Sequence, residues 1–219
     1  MKPVGVELVV MTVLEGALEA LLVRRSGNQW SLPAGTPEPG VPLQEAAAAV
    51  LARQTGITGI TLEQLYTFDR DGARRVAVAY LALIAAARHA LVPGSEVVEV
   101  RWFPLDDLPA LPPEHARALE YGRGRLRAKT AYAPVAVQVL PETFTLGDLQ
   151  AVYEAVLGAR LDTRNFRRDV LGAGVVEEAG MERRTGPGRP ARLYRSVPGE
   201  EFAVVARERR IAGRVRPPG

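Results

Sequence analysis

Apolar positions along this chain change their spacing several times, and each change predicts a different element. Val6 to Leu14 and Leu18 to Val23 are short apolar runs rich in β-branched residues. Glu15, Gly16 and Ala17 separate them, which predicts a β-hairpin. Alternation from Arg75 to Leu81 predicts a buried strand, preceded by a polar turn at Asp69-Arg70-Asp71-Gly72, and a further strand is expected from Val97 to Phe103. Between these strands, Pro42 to Gln54 reads as a helix. A proline stands near its start, alanines follow, and Gly56 lies just past its end. Mixed strands around an early helix point to an α/β sandwich.

Beyond Pro112-Pro113 the pattern changes. Glu114 to Lys129 is expected to form a helix joining two halves, despite Gly122 and Gly124. The halves are placed at residues 1–130 and 131–219. Thr145 followed by Asp148 matches a capping box, after which Leu149, Val152, Tyr153, Val156 and Leu157 line one helical face and Gly158 can close the helix. Asp162 or Thr163 can cap a second helix running to about Leu171. Phe166, Val170 and Leu171 then face inward, and Arg164, Asn165, Arg167 and Arg168 face outward. Val175-Val176, the polar loop TGPGRP and the return ARLYR follow. Two short helices and a hairpin with an arginine-bearing loop describe a winged helix-turn-helix.

Composition narrows the function classes. With 47% apolar and 24% charged residues the chain is an ordinary globular composition. No apolar run approaches the ~20 residues of a membrane span, and Glu7 and Glu15 interrupt any signal-peptide core. Without cysteine, disulfides and thiolate metal sites are excluded, and His89 and His115 make no metal pattern. These features set the expectation of a cytoplasmic protein with no membrane partner. The residues up to Ala133 are charge-balanced, so the net charge of +3 falls on those from Pro134 onward. Five arginines and no acid lie between Arg183 and Arg195, a cluster that is either a solvated loop or a phosphate-binding surface.

The segment GTPEPGVPLQEAAAAVLARQTGI, Gly35 to Ile57, resembles the Nudix box. Gly35 and Gly56 fall at the family's glycine positions, Leu51 and Ile57 at its aliphatic ones, and Trp30-Ser31-Leu32-Pro33-Ala34 resembles the lead-in. Val41 stands where the first glutamate belongs, Ala49-Val50 where Arg-Glu belongs, and Arg53-Gln54 where the glutamate pair belongs. In the family these carboxylates hold a divalent cation, which requires oxygen ligands. An apolar side chain, a cation and an amide replace them here, so hydrolysis by the family's mechanism is not expected. Glu38 and Glu45 are read as solvated surface carboxylates, no metal or other cofactor is expected, and no catalytic residue is assigned. A pocket that binds without cutting remains. Arg53 is either a fixed counter-charge for phosphate or a solvated helix arginine. Trp30 and Phe68 either sandwich a base or belong to the core. Arg70 and Arg74 are either phosphate or ribose contacts or exposed turn residues. With Arg24 and Gly35 they form the candidate ligand set.

Phe144-Thr145-Leu146, Leu149-Gln150, Val152-Tyr153-Glu154, Asn165-Phe166-Arg167-Arg168 and Arg189-Pro190-Ala191 resemble the winged-helix text of the Nudix-related transcriptional regulators of NAD metabolism, the NrtR family. Phe68-Asp69-Arg70-Asp71 and Ala79-Tyr80-Leu81 resemble that family's nucleotide domain. The resemblance implies a Nudix α/β/α sandwich followed by a winged helix-turn-helix. It also implies a homodimeric repressor that binds double-stranded operator DNA near genes for NAD synthesis or salvage, and that senses ADP-ribose or a related NAD-derived metabolite without hydrolysing it. Arg164, Asn165, Arg167 and Arg168 are the candidate DNA-binding residues of the helix, since Arg pairs with guanine edges and Asn with adenine, or else some of them cap or pair with Asp162 and Asp169. Arg183, Arg184, Arg189 and Arg192 are the candidate phosphate contacts. The alternative is a Nudix hydrolase, an ADP-ribose pyrophosphatase with relocated metal ligands.

Overall fold

The computed structural model describes residues 3–70, 75–130, 135–183 and 190–197. Its internal contacts divide the chain into two compact units, Met1–Arg125 and Leu126–Gly219, with the division inside one helix.

The first unit is built on a mixed sheet. Strand β1 (Val4–Leu14) turns into β2 (Ala17–Arg24) through Glu15 and Gly16, which both take positive φ, 49° and 81°. Two such residues make the tight turn whose twist matches antiparallel strands. Two-residue strands β3 (Trp30–Ser31) and β4 (Ala34–Gly35) follow, then helix α1 (Leu43–Thr55). Strands β5 (Glu63–Arg70), β6 (Arg75–Leu83) and β7 (Glu99–Pro104) and helix α2 (Pro113–Thr130) complete the series. The strand order is β3-β2-β1-β6-β5, with β4 added to β1 and β7 to β2. Among the described strands of this sheet only β1 and β6 run parallel.

Period-two alternation in β1 divides its side chains between the two faces. Val6, Leu8 and Val10 join Ala47, Val50 and Leu51 of α1 in one buried cluster. On the other face, α2 presses so closely that a Cβ at Gly122 would lie 2.7 Å from Cγ1 of Val9. Close packing thus offsets the roughly 1 kcal/mol that glycine costs inside a helix. Pro42 and Gly56 bound α1 as expected, Gly56 in the left-handed conformation. Asp69 and Arg70, expected in a turn, instead end β5. Their backbone pairs with Val76 and Arg75, so ladder pairing outweighs turn propensity.

In the second unit, a 3-10 turn (Val135–Val139) leads to helices α3 (Leu146–Leu157) and α4 (Thr163–Ala173) and to the hairpin β8 (Val176–Arg183) and β9 (Ala191–Ser196). Thr145 and Asp148 close the capping box: Asp148 N–H donates to Thr145 Oγ1 at 3.0 Å and Thr145 N–H to Asp148 Oδ2 at 2.9 Å. Phe144, Leu149, Val152, Val156, Phe166, Val170 and Tyr194 form the core. Leu171 was expected inward but is 47% exposed, because it lies one position past the buried Phe166–Val170 face near the helix end. No helix among the described residues is long and apolar enough to cross a membrane.

Candidate functional site

The loop that leads into α1 is held from both faces of the sheet. Ala34 and Gly35 pair with Glu7 and Val6 of β1, and Leu8 N–H donates to Pro33 C=O at 2.9 Å. From α1, the fully buried Gln54 offers its amide to both polar groups of one residue. Its Oε1 accepts Ala34 N–H at 3.2 Å and its Nε2 donates to Ala34 C=O at 3.0 Å. Arg25 adds a 2.9 Å bond to the same carbonyl. Glu96 then collects Arg53 Nε at 2.8 Å and Gln54 Nε2 at 3.2 Å. The Arg53 hydrogen bond holds the Glu96 carboxyl below the usual carboxylate range, against the opposing effect of partial burial.

These contacts occupy the positions at which the Nudix family keeps its dication ligands. Val50 is buried, and a Cβ on Gly35 would lie 2.7 Å from its Cγ2, so hydrocarbon fills the space under the loop. Arg53 is a cation and Gln54 spends its carbonyl oxygen on Ala34. This donor set does not fit a hard dication, which needs several free oxygens. Among the described residues no three His, Asp or Glu side chains come together as a metal site. Glu38 and Glu45 are exposed.

On the opposite face the loop meets a buried polar cluster. Leu32 N–H donates to Nδ1 of the buried His115 at 3.2 Å, and Arg70 Nη2 lies 3.1 Å from the ring's Nε2. That nitrogen lies 3.4 Å from Glu7 Oε1, and Arg70 Nη1 lies 2.7 Å from the same oxygen. Glu7 is 0% exposed, yet among the described residues neither of its oxygens receives a well-directed hydrogen bond, and Arg70 Nε and Tyr66 Oη also find no partner there. Burial pushes the Tyr66 phenol up, and Glu7 adds to the shift. Glu114 goes the other way: burial raises its carboxyl, but its own backbone N–H and Arg70, at 3.2 Å, hold it below the ordinary value.

Of the candidate ligand residues, Arg70 meets Glu7, while Gly35 pairs with Val6 of β1 and lies over Val50 of α1. Arg53 meets the loop through Glu96. Arg24 is committed to Glu99 at 2.6 Å and lies 5.7 Å over the Trp30 ring. Trp30 packs edge-on against Phe103, and Phe68 stacks on Tyr66. Trp30 and Phe68 carry two readings, base sandwich or core, and each ring packs on another aromatic side chain of the protein. They stand on β3 and β5, opposite ends of the strand order, and strands spaced by about 4.8 Å hold such ends too far apart for one base. Arg74 lies outside the described residues. Sequence reasoning missed Glu7, Glu96 and His115, and passed over Gln54 as a departure from the motif. A lone carboxylate inside an apolar strand was the available signal for Glu7.

The second unit presents α4. Asp162 caps it by accepting Asn165 N–H at 2.8 Å. Arg164 and Arg167 are exposed and have no ion pair among the described residues. Arg168 pairs with Asp169 at 2.9 Å. In the hairpin, Arg192 pairs with Glu178 at 2.6 Å, Arg195 with Glu177 at 2.7 Å, and Arg183 with Asp148 of the capping box. Arg184, Arg189 and the basic tail from Arg207 to Arg216 lie outside the described residues.

The turn between the two helices has its own fastening. Gln150 Nε2 donates to Glu154 Oε1 at 2.9 Å and to Leu161 C=O at 3.0 Å. Glu154 accepts Leu161 N–H at 2.9 Å and Arg160 at 2.8 Å. Burial raises the Glu154 carboxyl, but these donors prevail and hold it below the ordinary carboxylate range. A lowered folded-state pKa means the stabilisation is complete above the unfolded value and disappears as pH falls through the folded one. Glu154→Ala is therefore expected to cost about 2 kcal/mol at pH 7 by leaving several donors unmatched, and to lose most of that penalty in acid. Chemical denaturation at pH 7 and below pH 4 checks this.

Comparison with known proteins bears on both units. The NUDIX domain family matches residues 3–122, and the NrtR DNA-binding winged helix domain family matches residues 136–196. The ADPR responsive transcriptional repressor NtrR of Acinetobacter baylyi is 34% identical over 205 residues, covering 87% of this chain and 80% of that protein. This chain belongs to the NrtR family. Shewanella oneidensis NrtR, crystallised with a 27mer DNA, superposes with a TM-score of 0.77 at 33% identity, over 90% of this chain and 94% of that one. The NUDIX domain of the Shewanella NrtR, crystallised with ADP ribose, superposes with a TM-score of 0.52 at 30% identity, over 57% of this chain and 89% of that one. In this NrtR-family chain the two matched regions fall one in each compact unit.

Proposed function

We propose that this chain is an ADP-ribose-responsive repressor that controls genes of NAD synthesis or salvage from the cytoplasm. It binds operator DNA as a homodimer through α4 and the hairpin, and it senses ADP-ribose or a related metabolite in the first unit without cleaving it. The observation that carries the reading is the replacement of the family's dication ligands by Val50, Arg53 and Gln54, all engaged in packing or in holding the loop, in a chain that also bears an arginine-studded helix. A sensor has to release its effector intact, and losing the metal ligands achieves that. The DNA and ADP-ribose complexes of the Shewanella relative support both halves.

Arg70 is the proposed anchor for the ligand, because it lies at the loop beside buried polar atoms that have spare hydrogen-bonding capacity. The response is a population shift: ligand favours a dimer geometry whose two winged helices no longer match their half-sites. In a mobility-shift titration, ADP-ribose is expected to release an operator duplex. Incubation with ADP-ribose and magnesium or manganese is expected to yield no AMP. Operator binding indifferent to ADP-ribose, or robust AMP production, would overturn the proposal, the latter in favour of a hydrolase.

A further inference from the structure

We infer that Gln54 is a positioning residue for the ligand loop, doing by a side-chain clamp what a bound dication does in the hydrolases. ADP-ribose binding to this chain is then independent of divalent metal. The inference rests on the ligand-sensing reading and deepens it.

The geometry is specific to an amide. Ala34 shows a donor and an acceptor to the interior, and a single planar group at residue 54 meets both, at 3.2 and 3.0 Å. Glutamate at this position, as in the family motif, accepts from Ala34 N–H but puts a second lone pair against Ala34 C=O and against Glu96. It needs a cation between them to be stable. Glutamine supplies the missing donor itself, and its Nε2 reaches Glu96 at 3.2 Å as well. Arg25 and Arg53 complete the surroundings, one on the Ala34 carbonyl and one on Glu96. The charged groups facing the clamp are therefore Glu96, Arg53 and Arg25. The residue is fully buried, so each of these bonds is made away from competing water, where an unmatched polar group is costly. Gly35, the next residue, sits on Val50 with no room for a side chain, so the loop's height over α1 is fixed twice, by amide pairing and by hydrocarbon contact.

The test uses the full-length protein and ADP-ribose as probe, with calorimetry for affinity and amide hydrogen exchange for the loop. The wild-type affinity is expected to be the same in EDTA and in magnesium. Gln54→Met, of similar volume and without hydrogen bonds, is expected to speed exchange of the Ala34 amide at least tenfold and to weaken ADP-ribose binding by a similar factor. Gln54→Glu, measured in EDTA, is expected to behave like Gln54→Met at pH 8, where the carboxylate cannot donate. It should approach wild type at pH 5.5, where a proton held beside Glu96 restores the donor, and the wild type should show no such recovery. Unchanged Ala34 exchange in Gln54→Met, a wild-type affinity that rises more than twofold with magnesium, or a Gln54→Glu variant insensitive to pH would each overturn the inference. Failure of the wild type to bind ADP-ribose at all would instead defeat the functional proposal, while the exchange measurements would still decide the clamp.

Discussion

Replacing Arg164 and Arg167 together with alanine is expected to weaken operator binding by about 100-fold, since each well-placed arginine contact to a base edge is worth about 1–3 kcal/mol. These two side chains are exposed on α4 and hold no carboxylate among the described residues, so they meet a duplex without first breaking an ion pair there. Arg192 has to give up Glu178, and Arg183 has to give up Asp148, so alanine at either position is expected to cost much less. Fluorescence anisotropy across a salt series separates the roles. If the pair contacts phosphates, the log-log slope falls by about 0.9 per contact removed. If it reads bases, the slope holds and discrimination between operator and mutated operator collapses. Retention of full affinity and specificity by the double variant would remove α4 as the recognition helix.

Arg70→Ala is expected to destabilise the first unit by about 3–5 kcal/mol, the range seen when one partner of a buried ion pair is removed. The reason lies in Glu7. Its carboxylate is wholly inaccessible, and Arg70 at 2.7 Å is its closest cation. Leaving that charge alone is expected to cost more than the pair contributes. A double variant, Arg70→Met with Glu7→Gln, is accordingly expected to recover most of the loss in denaturant melts, because no buried charge is left unmatched. Both variants are expected to bind ADP-ribose poorly, since the proposed anchor is gone in each. Stability restored without affinity assigns Arg70 two separable duties. Wild-type affinity in the double variant would remove Arg70 from the ligand site.

How much of this was legible in the sequence depends on the range of the interactions. Local chemistry read through well: Pro42 and Gly56 bracket α1, Thr145 and Asp148 form the capping box, and Glu15-Gly16 makes the hairpin turn. Strands β3 and β4 are two residues each, too short to leave a periodic signal. Strand β5 mixes charged, aromatic and hydroxyl side chains, so its polar end passed for a turn. The site divided along the same line. The missing metal ligands were visible because a motif supplies its own spacing. The buried polar cluster on the other face was not, because Glu7, Arg70 and His115 come from three elements far apart in sequence. Gln54 looked like a loss until Ala34 was seen to need both of its amide atoms. Trp30 and Phe68 show the limit of pairing by residue type: similar rings at plausible positions stand at opposite ends of the strand order.

The described part of the β8–β9 hairpin carries Glu177, Glu178 and Glu182 alongside Arg183, Arg192 and Arg195, and two of these arginines are tied to a carboxylate across the hairpin. Arg192 and Arg195 are therefore available to a phosphate only where it outcompetes Glu178 and Glu177, while Arg184 and Arg189 leave the hairpin sequence with a net positive charge.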